Sequence, residues 1–127
     1  MELALEVAGL DPMKIDYINA HGTATPNNDM SEGSAIKSVF RDYLPRFSST
    51  KSYTGHTLAA AGAVEAVISV LSLQHQVIFP NLNFENPIEE LNISPVTNLD
   101  KEHEINVILS NSFGFGGNCS SMIFSRT

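Results

Sequence analysis

The sequence predicts an α/β layered fold, on three observations. Helix-patterned and strand-patterned segments alternate in the order helix, strand, helix, strand, helix, strand, strand. The first two strands run directly into glycine-, threonine- and serine-rich turns, as strands of an α/β sheet do. Residues 57–75 are apolar nearly all round, the pattern of a helix buried on every side. At 127 residues the chain is about one small domain, expected to occupy residues 1–127 without repeat or linker.

The segment MELALEVAGL reads as the end of a helix, with Leu3, Val7 and Leu10 spaced for one face and Gly9 near its C-terminal cap. KIDYINA is a short strand whose Ile15, Tyr17 and Ile18 alternate only in part, and it leads into the turn-forming HGTATPNND. Ala35, Ile36, Val39 and Phe40 predict an amphipathic helix over residues 30–43, with Asp29 and Ser31 as capping candidates and Pro45 closing it. RFSSTKS is a second short strand. The helix over residues 57–75 follows, its small residues at 59–63 allowing close backbone approach. Pro80, Pro87 and Pro95 punctuate an irregular stretch, and INVILSNSF and SSMIFS form two antiparallel strands around GFGGNC. The buried helix needs covering on more sides than this chain offers, so part of its core is expected from elsewhere.

Charge and composition exclude several classes. The net charge of −7 is wrong for phosphate binding, so no nucleic-acid partner is expected. Glu65 interrupts the longest apolar run, and acids stand where a signal peptide carries basic residues. The reading is a soluble, cytoplasmic protein with no membrane contact. A single cysteine, Cys119, rules out an intrachain disulfide and a cysteine-rich metal site.

His21 follows the first strand, Lys51 ends the second, and His56 precedes the long helix. Ligands of α/β sheets gather at the carboxyl ends of strands, so these positions fall on the edge where chemistry is usual. Either histidine alone would serve equally as a cap or core residue; both together with a lysine and a glycine loop point to a site. The positive end of the helix dipole disfavours an imidazolium at His56, leaving a neutral ring with one N–H to donate. Such a donor suits a developing oxyanion. The loop of Gly114, Gly116 and Gly117 can bring backbone N–H groups to a substrate carbonyl, although hairpin turns use the same residues. Glu65 lies nine positions after His56, too far along a helix to touch it, and a buried glutamate needs a partner such as Lys51. His75 and His103 receive no role. Cys119 leaves the glycine loop without a helix N-terminus behind it and reads as structural.

YINAHGTATPNND, SSTKSYTGHTLAAAGAVEAV, PNLNFENP and NSFGFGGNCS resemble, in order and spacing, the C-terminal half of β-ketoacyl-acyl-carrier-protein synthases. The likeness is closest to the elongating type, and a polyketide ketosynthase would share most of these words. It implies one αβ half of a thiolase-like, five-layer αβαβα sandwich, usually a homodimer, with a Cys-His-His triad and a lysine. His21, His56 and Lys51 match the histidines and the lysine; the nucleophilic cysteine belongs to the family's first half, and Cys119 does not match it. By resemblance, Glu65 orders Lys51, Phe115 supplies an oxyanion-hole N–H and gates the acyl pocket, and Thr23 and Thr25 hold the pantetheine arm. The implied reaction is decarboxylative condensation of malonyl-acyl-carrier-protein with an acyl thioester in fatty-acid synthesis. No cofactor or metal is expected beyond the carrier protein's phosphopantetheine. The partners implied are acyl carrier protein and the chain's own N-terminal half, without which it is expected to be inactive. A non-catalytic, chain-length-factor-like subunit is the rival reading, and it would be expected to lose triad residues.

Overall fold

In a computed structural model that describes residues 1–126, four strands form one mixed sheet. The helices are α1 (Glu2–Ala8), α2 (Pro26–Phe40), the single turn α3 (Lys51–Thr54) and α4 (Ala61–His75). The strands are β1 (Tyr17–Asn19), β2 (Arg46–Ser48), β3 (Val107–Phe113) and β4 (Cys119–Ser125). Their order across the sheet is β2-β1-β3-β4, with β1 parallel to both neighbours and β4 antiparallel to β3. The hairpin of β3 and β4 is the predicted one.

Two cores flank the sheet, because successive side chains of a strand point to opposite faces. Ile18 and Leu109 point to one face, where Leu5 of α1 and Ile36 and Phe40 of α2 meet them. Tyr17 and Ile108 point to the other, with Leu73 of α4, Ile78 and Ile105. All three β1 residues are therefore buried, which explains why its sequence barely alternates.

Several expectations need correction. Leu5 is the buried residue of α1, while Leu3 and Val7 are 70% and 80% exposed, and only Leu10 of the predicted stripe packs on the core. The second helix begins at Pro26 rather than near residue 30, with Thr25 as its N-cap; proline suits a first helical position because its missing N–H would have no partner there. Asp29 sits in the first turn and makes no cap. The second strand stops at Ser48, so Lys51 opens α3 instead of ending a strand.

The long apolar segment differs most. It splits into a 3₁₀ turn at Leu58–Ala60 and α4, and α4 is not buried on all sides. Its sheet-facing side carries Ala61, Glu65, Ser69, Ser72 and Leu73, whereas Val67, Val70 and Leu71 face outward. By length and composition alone Leu58–His75, at mean hydropathy 1.4, could cross a membrane, although Glu65 interrupts it. Its buried side is nevertheless largely polar and tied to β1: Asn19 Nδ2 reaches the Glu65 carbonyl and Ser69 Oγ at 3.4 Å each. This is a core helix with one uncovered face.

Candidate active site

Asn19, the last residue of β1, hands the chain to Ala20 and His21, and the β1 exit is pinned by the bond from Ala20 N–H to the Ser48 carbonyl at 2.9 Å. From β2, Ser49 and Thr50 bring Lys51 in beneath His21. Lys51 is buried, and its Nζ donates to the His21 carbonyl at 2.6 Å, lies 3.2 Å from His21 Nδ1 and pairs with Glu65 of α4. The expected Lys51–Glu65 pairing is present, and it holds the histidine as well.

Burial, with the charges of Lys51 and then His56 added, holds His21 down to about 4 from its ordinary 6.5. The ring is therefore neutral near pH 7. Since Lys51 has only protons to offer, His21 Nδ1 accepts and the ring proton sits on Nε2. Burial pushes the Glu65 carboxyl up, and the Lys51 ammonium works against it.

His56 arrives at the same tautomer by another route. It is exposed, and its Nδ1 accepts the Leu58 backbone N–H at 3.1 Å, capping the 3₁₀ turn that leads into α4. Gly55, at φ +69°, allows the chain to turn there. The two imidazoles meet edge to face with centroids 5.4 Å apart. Two rings, each with Nδ1 occupied as an acceptor, thus keep Nε2–H free to donate; together they can stabilise negative charge on one oxygen.

The other predicted residues fall around this pair. Thr23 and Thr25 join hydroxyls at 3.0 Å at the start of α2. Thr23 and His56 border a cleft of about 540 Å³ that runs past Asn81 and Leu82 to Ile36. Gly114, Gly116 and Gly117 close the β3–β4 hairpin, with the Gly114 N–H bonded to the Asn118 carbonyl at 2.7 Å. Phe115 is fully exposed, so this chain alone does not seat its ring against the histidines. Cys119 is an exposed free thiol. His75 is exposed, and His103 joins Arg46 and Asp100 beside a separate cavity of about 720 Å³, where their polar groups bond one another. Among the described residues no His, Cys, Asp or Glu side chains gather as metal ligands.

Three residues of this site, the half-buried Phe113 and the buried Asn111 and Glu32, escaped the sequence reading. Phe113 lies 5.5 Å from His21, ring to ring. Asn111 and Glu32 sit behind His21, and Glu32 accepts the His21 and Gly22 backbone N–H groups at 2.9 Å each. The signal for Glu32 was available: it precedes Ile36 and Phe40 by four and eight residues, on the buried side of α2.

A sheet carrying paired histidines over a buried lysine is one αβ half of a thiolase-like fold. More narrowly, the chain belongs to the family described as "Beta-ketoacyl synthase, C-terminal domain", whose model matches residues 1–85. The rest of the described chain is part of the same sheet, since β3 lies between β1 and β4. A 3-oxoacyl-[acyl-carrier-protein] synthase 2 of Coxiella burnetii is 48% identical over 128 residues, 99% of this chain and 31% of that protein. The mitochondrial 3-oxoacyl-[acyl-carrier-protein] synthase of Arabidopsis thaliana is 46% identical, over 98% of this chain and 28% of its own length. Among solved structures, the ishigamide ketosynthase/chain length factor matches 99% of this chain and 31% of its own at TM-score 0.94 and 35% identity. A ketosynthase in complex with its chain length factor from Xenorhabdus doucetiae matches all of this chain and 32% of its own, at TM-score 0.88 and 37% identity. The chain spans about a third of the length of these relatives.

Proposed function

We propose that residues 1–127 are the C-terminal domain of a 3-oxoacyl-acyl-carrier-protein synthase, an acyltransferase, and supply the histidine half of its active site. The observation that carries this reading is the pair of imidazoles, His21 and His56, each with Nδ1 already accepting a hydrogen bond and Nε2–H left to donate. In the reaction, the C–C bond to the malonyl carboxylate breaks and carbon dioxide leaves. The electron pair passes into the thioester as an enolate, whose oxygen takes hydrogen bonds from both Nε2–H groups. The enolate carbon then attacks an acyl thioester held on a cysteine of the N-terminal half, and that thiolate departs. The Phe115 N–H, at the glycine loop, is one donor to the acyl oxygen, and the Phe115 ring gates the acyl pocket once the other half is in place. Lys51 and Glu65 position His21.

Substrates arrive on the phosphopantetheine of acyl carrier protein, with no further cofactor; Thr23, which borders the cleft, and Thr25, bonded to it, hold that arm. The full-length protein is a homodimer. Relatives named 3-oxoacyl-[acyl-carrier-protein] synthase at 40–48% identity favour fatty-acid over polyketide synthesis. A chain-length-factor-like subunit ranks below, because both histidines and Lys51 are retained.

The test assays the full-length polypeptide ending in this segment, and the segment alone, with acyl- and malonyl-acyl-carrier-protein. Ketoacyl product and carbon dioxide are expected from the first and not from the second. Product from the segment alone would overturn its inactivity, and none from the full-length polypeptide would overturn the reading.

A further inference from the structure

Glu32 is buried in α2, yet no step of the chemistry above uses it. A carboxylate there needs donors, and each of its hydrogen-bond partners is an N–H. Oε1 accepts from the His21 backbone at 2.9 Å and from Asn111 Nδ2 at 3.1 Å. Oε2 accepts from the Gly22 backbone at 2.9 Å and from Asn28 Nδ2 at 3.4 Å. Asn111 is itself aimed by Ser121, whose hydroxyl donates to Asn111 Oδ1 at 2.7 Å.

The two backbone groups belong to the peptide planes on either side of the His21 Cα. Each plane is rigid, so holding both fixes φ and ψ of His21 and the direction of its Cα–Cβ bond. Lys51 grips the same residue at its carbonyl and its ring nitrogen. A mere tie between α2 and the sheet would need only the Asn111 contact; the paired peptide bonds go beyond it.

We propose that Glu32 is a positioning residue for His21: its carboxylate, aimed by Asn111, clamps both peptide planes flanking the His21 Cα and so sets where the Nε2–H points. This rests on the condensing-enzyme reading above.

The test uses the full-length polypeptide and malonyl-acyl-carrier-protein decarboxylation. Glu32→Gln turns one acceptor into a donor facing a backbone N–H; kcat is expected to fall roughly tenfold or more with KM little changed. Adding Asn111→Asp restores the helix-to-sheet tie but not the clamp, so the double variant should stay slow. Glu32→Asp keeps the charge and shortens the reach by one methylene; it should melt near the wild-type temperature with an intermediate kcat. Recovery of wild-type kcat in the double variant, or wild-type kcat in both single variants, overturns the proposal. If the wild-type polypeptide does not decarboxylate, the functional reading fails by itself. The ring placement of His21 then decides: loss of the NOEs from its ring to His56 and Phe113 in Glu32→Gln supports the clamp, and unchanged NOEs overturn it.

Discussion

Lys51 Nζ lies 3.2 Å from His21 Nδ1 and 2.6 Å from the same residue's carbonyl oxygen, so one ammonium holds both the ring and the backbone of a buried histidine. The electrostatic consequence has a definite sign. The folded His21 titrates near 4 and the ordinary ring near 6.5, so between these values the unfolded chain binds the extra proton. Stability contributed by the neutral ring is complete above about 6.5 and declines as pH falls toward 4. NMR titration of the imidazole signals should show His21 neutral at pH 6. Lys51→Met should raise the His21 value while leaving it below 6.5, since burial is the larger cause. An ordinary titration in the wild-type chain would refute this electrostatic account.

Lys51→Met also strands Glu65 in the interior, where removing one partner of a buried ion pair costs about 3–5 kcal/mol. Replacing both, as Lys51→Met with Glu65→Leu, should cost much less in stability while still lowering activity. Chemical denaturation of the three proteins measures the difference. Equal losses in the single and double variants would mean that the pairing is not what matters.

His56 does two separable things: it caps the 3₁₀ turn through Nδ1 and keeps an N–H free. His56→Asn can do both, because a side-chain oxygen at this position reaches the N–H two residues on. His56→Ala can do neither. Decarboxylation by the full-length polypeptide should fall by about 10²–10³ in the alanine variant and less in the asparagine variant. Equal losses would show that the imidazole acts otherwise than as a donor.

Gly22 and Gly33 give opposite expectations despite similar crowding. A Cβ at Gly22 would lie 2.5 Å from Ser49 Cβ, on a backbone at φ +40° that side chains rarely adopt. At Gly33, within α2, it would meet the tip of Leu91, also at 2.5 Å, but that side chain can rotate away. Gly22→Ala should destabilise by about 1–3 kcal/mol and disturb His21 next to it. Gly33→Ala gains up to about 1 kcal/mol of helix propensity against a small repacking cost and should be near neutral. Thermal melts of the two variants decide, and a larger loss at Gly33 would contradict the assignment.

What the sequence disclosed follows from the length scale of each feature. Turn formers after β1, the proline-punctuated stretch and the final hairpin are local, and they were legible. His21, Lys51, His56 and Glu65 were singled out from their positions on strand ends and on one apolar helix, and the fold brings them together. Glu32 and Asn111 were missed because their partners are backbone groups 10 or 11 residues away and a side chain 79 residues away. The uneven burial of α4 also escaped: its polar residues face inward, where Glu65 pairs with Lys51 and Asn19 of β1 reaches Ser69, while Val67 and Val70 face outward.

That outward face yields the last prediction. Val67, Val70 and Leu71, spaced three and four residues apart, expose an apolar strip along α4. Strips of this kind drive association in water. The isolated chain should therefore self-associate, as read by sedimentation at increasing concentration. Val67→Glu with Val70→Lys places an ion pair one helical turn apart and should shift it toward monomer without lowering its melting temperature, since neither side chain is in a core. In the full-length polypeptide the same pair should be destabilising, because burying a charge against a covered helix face costs several kcal/mol. A charged pair tolerated equally in both proteins would mean that this face of α4 meets solvent in the full-length polypeptide.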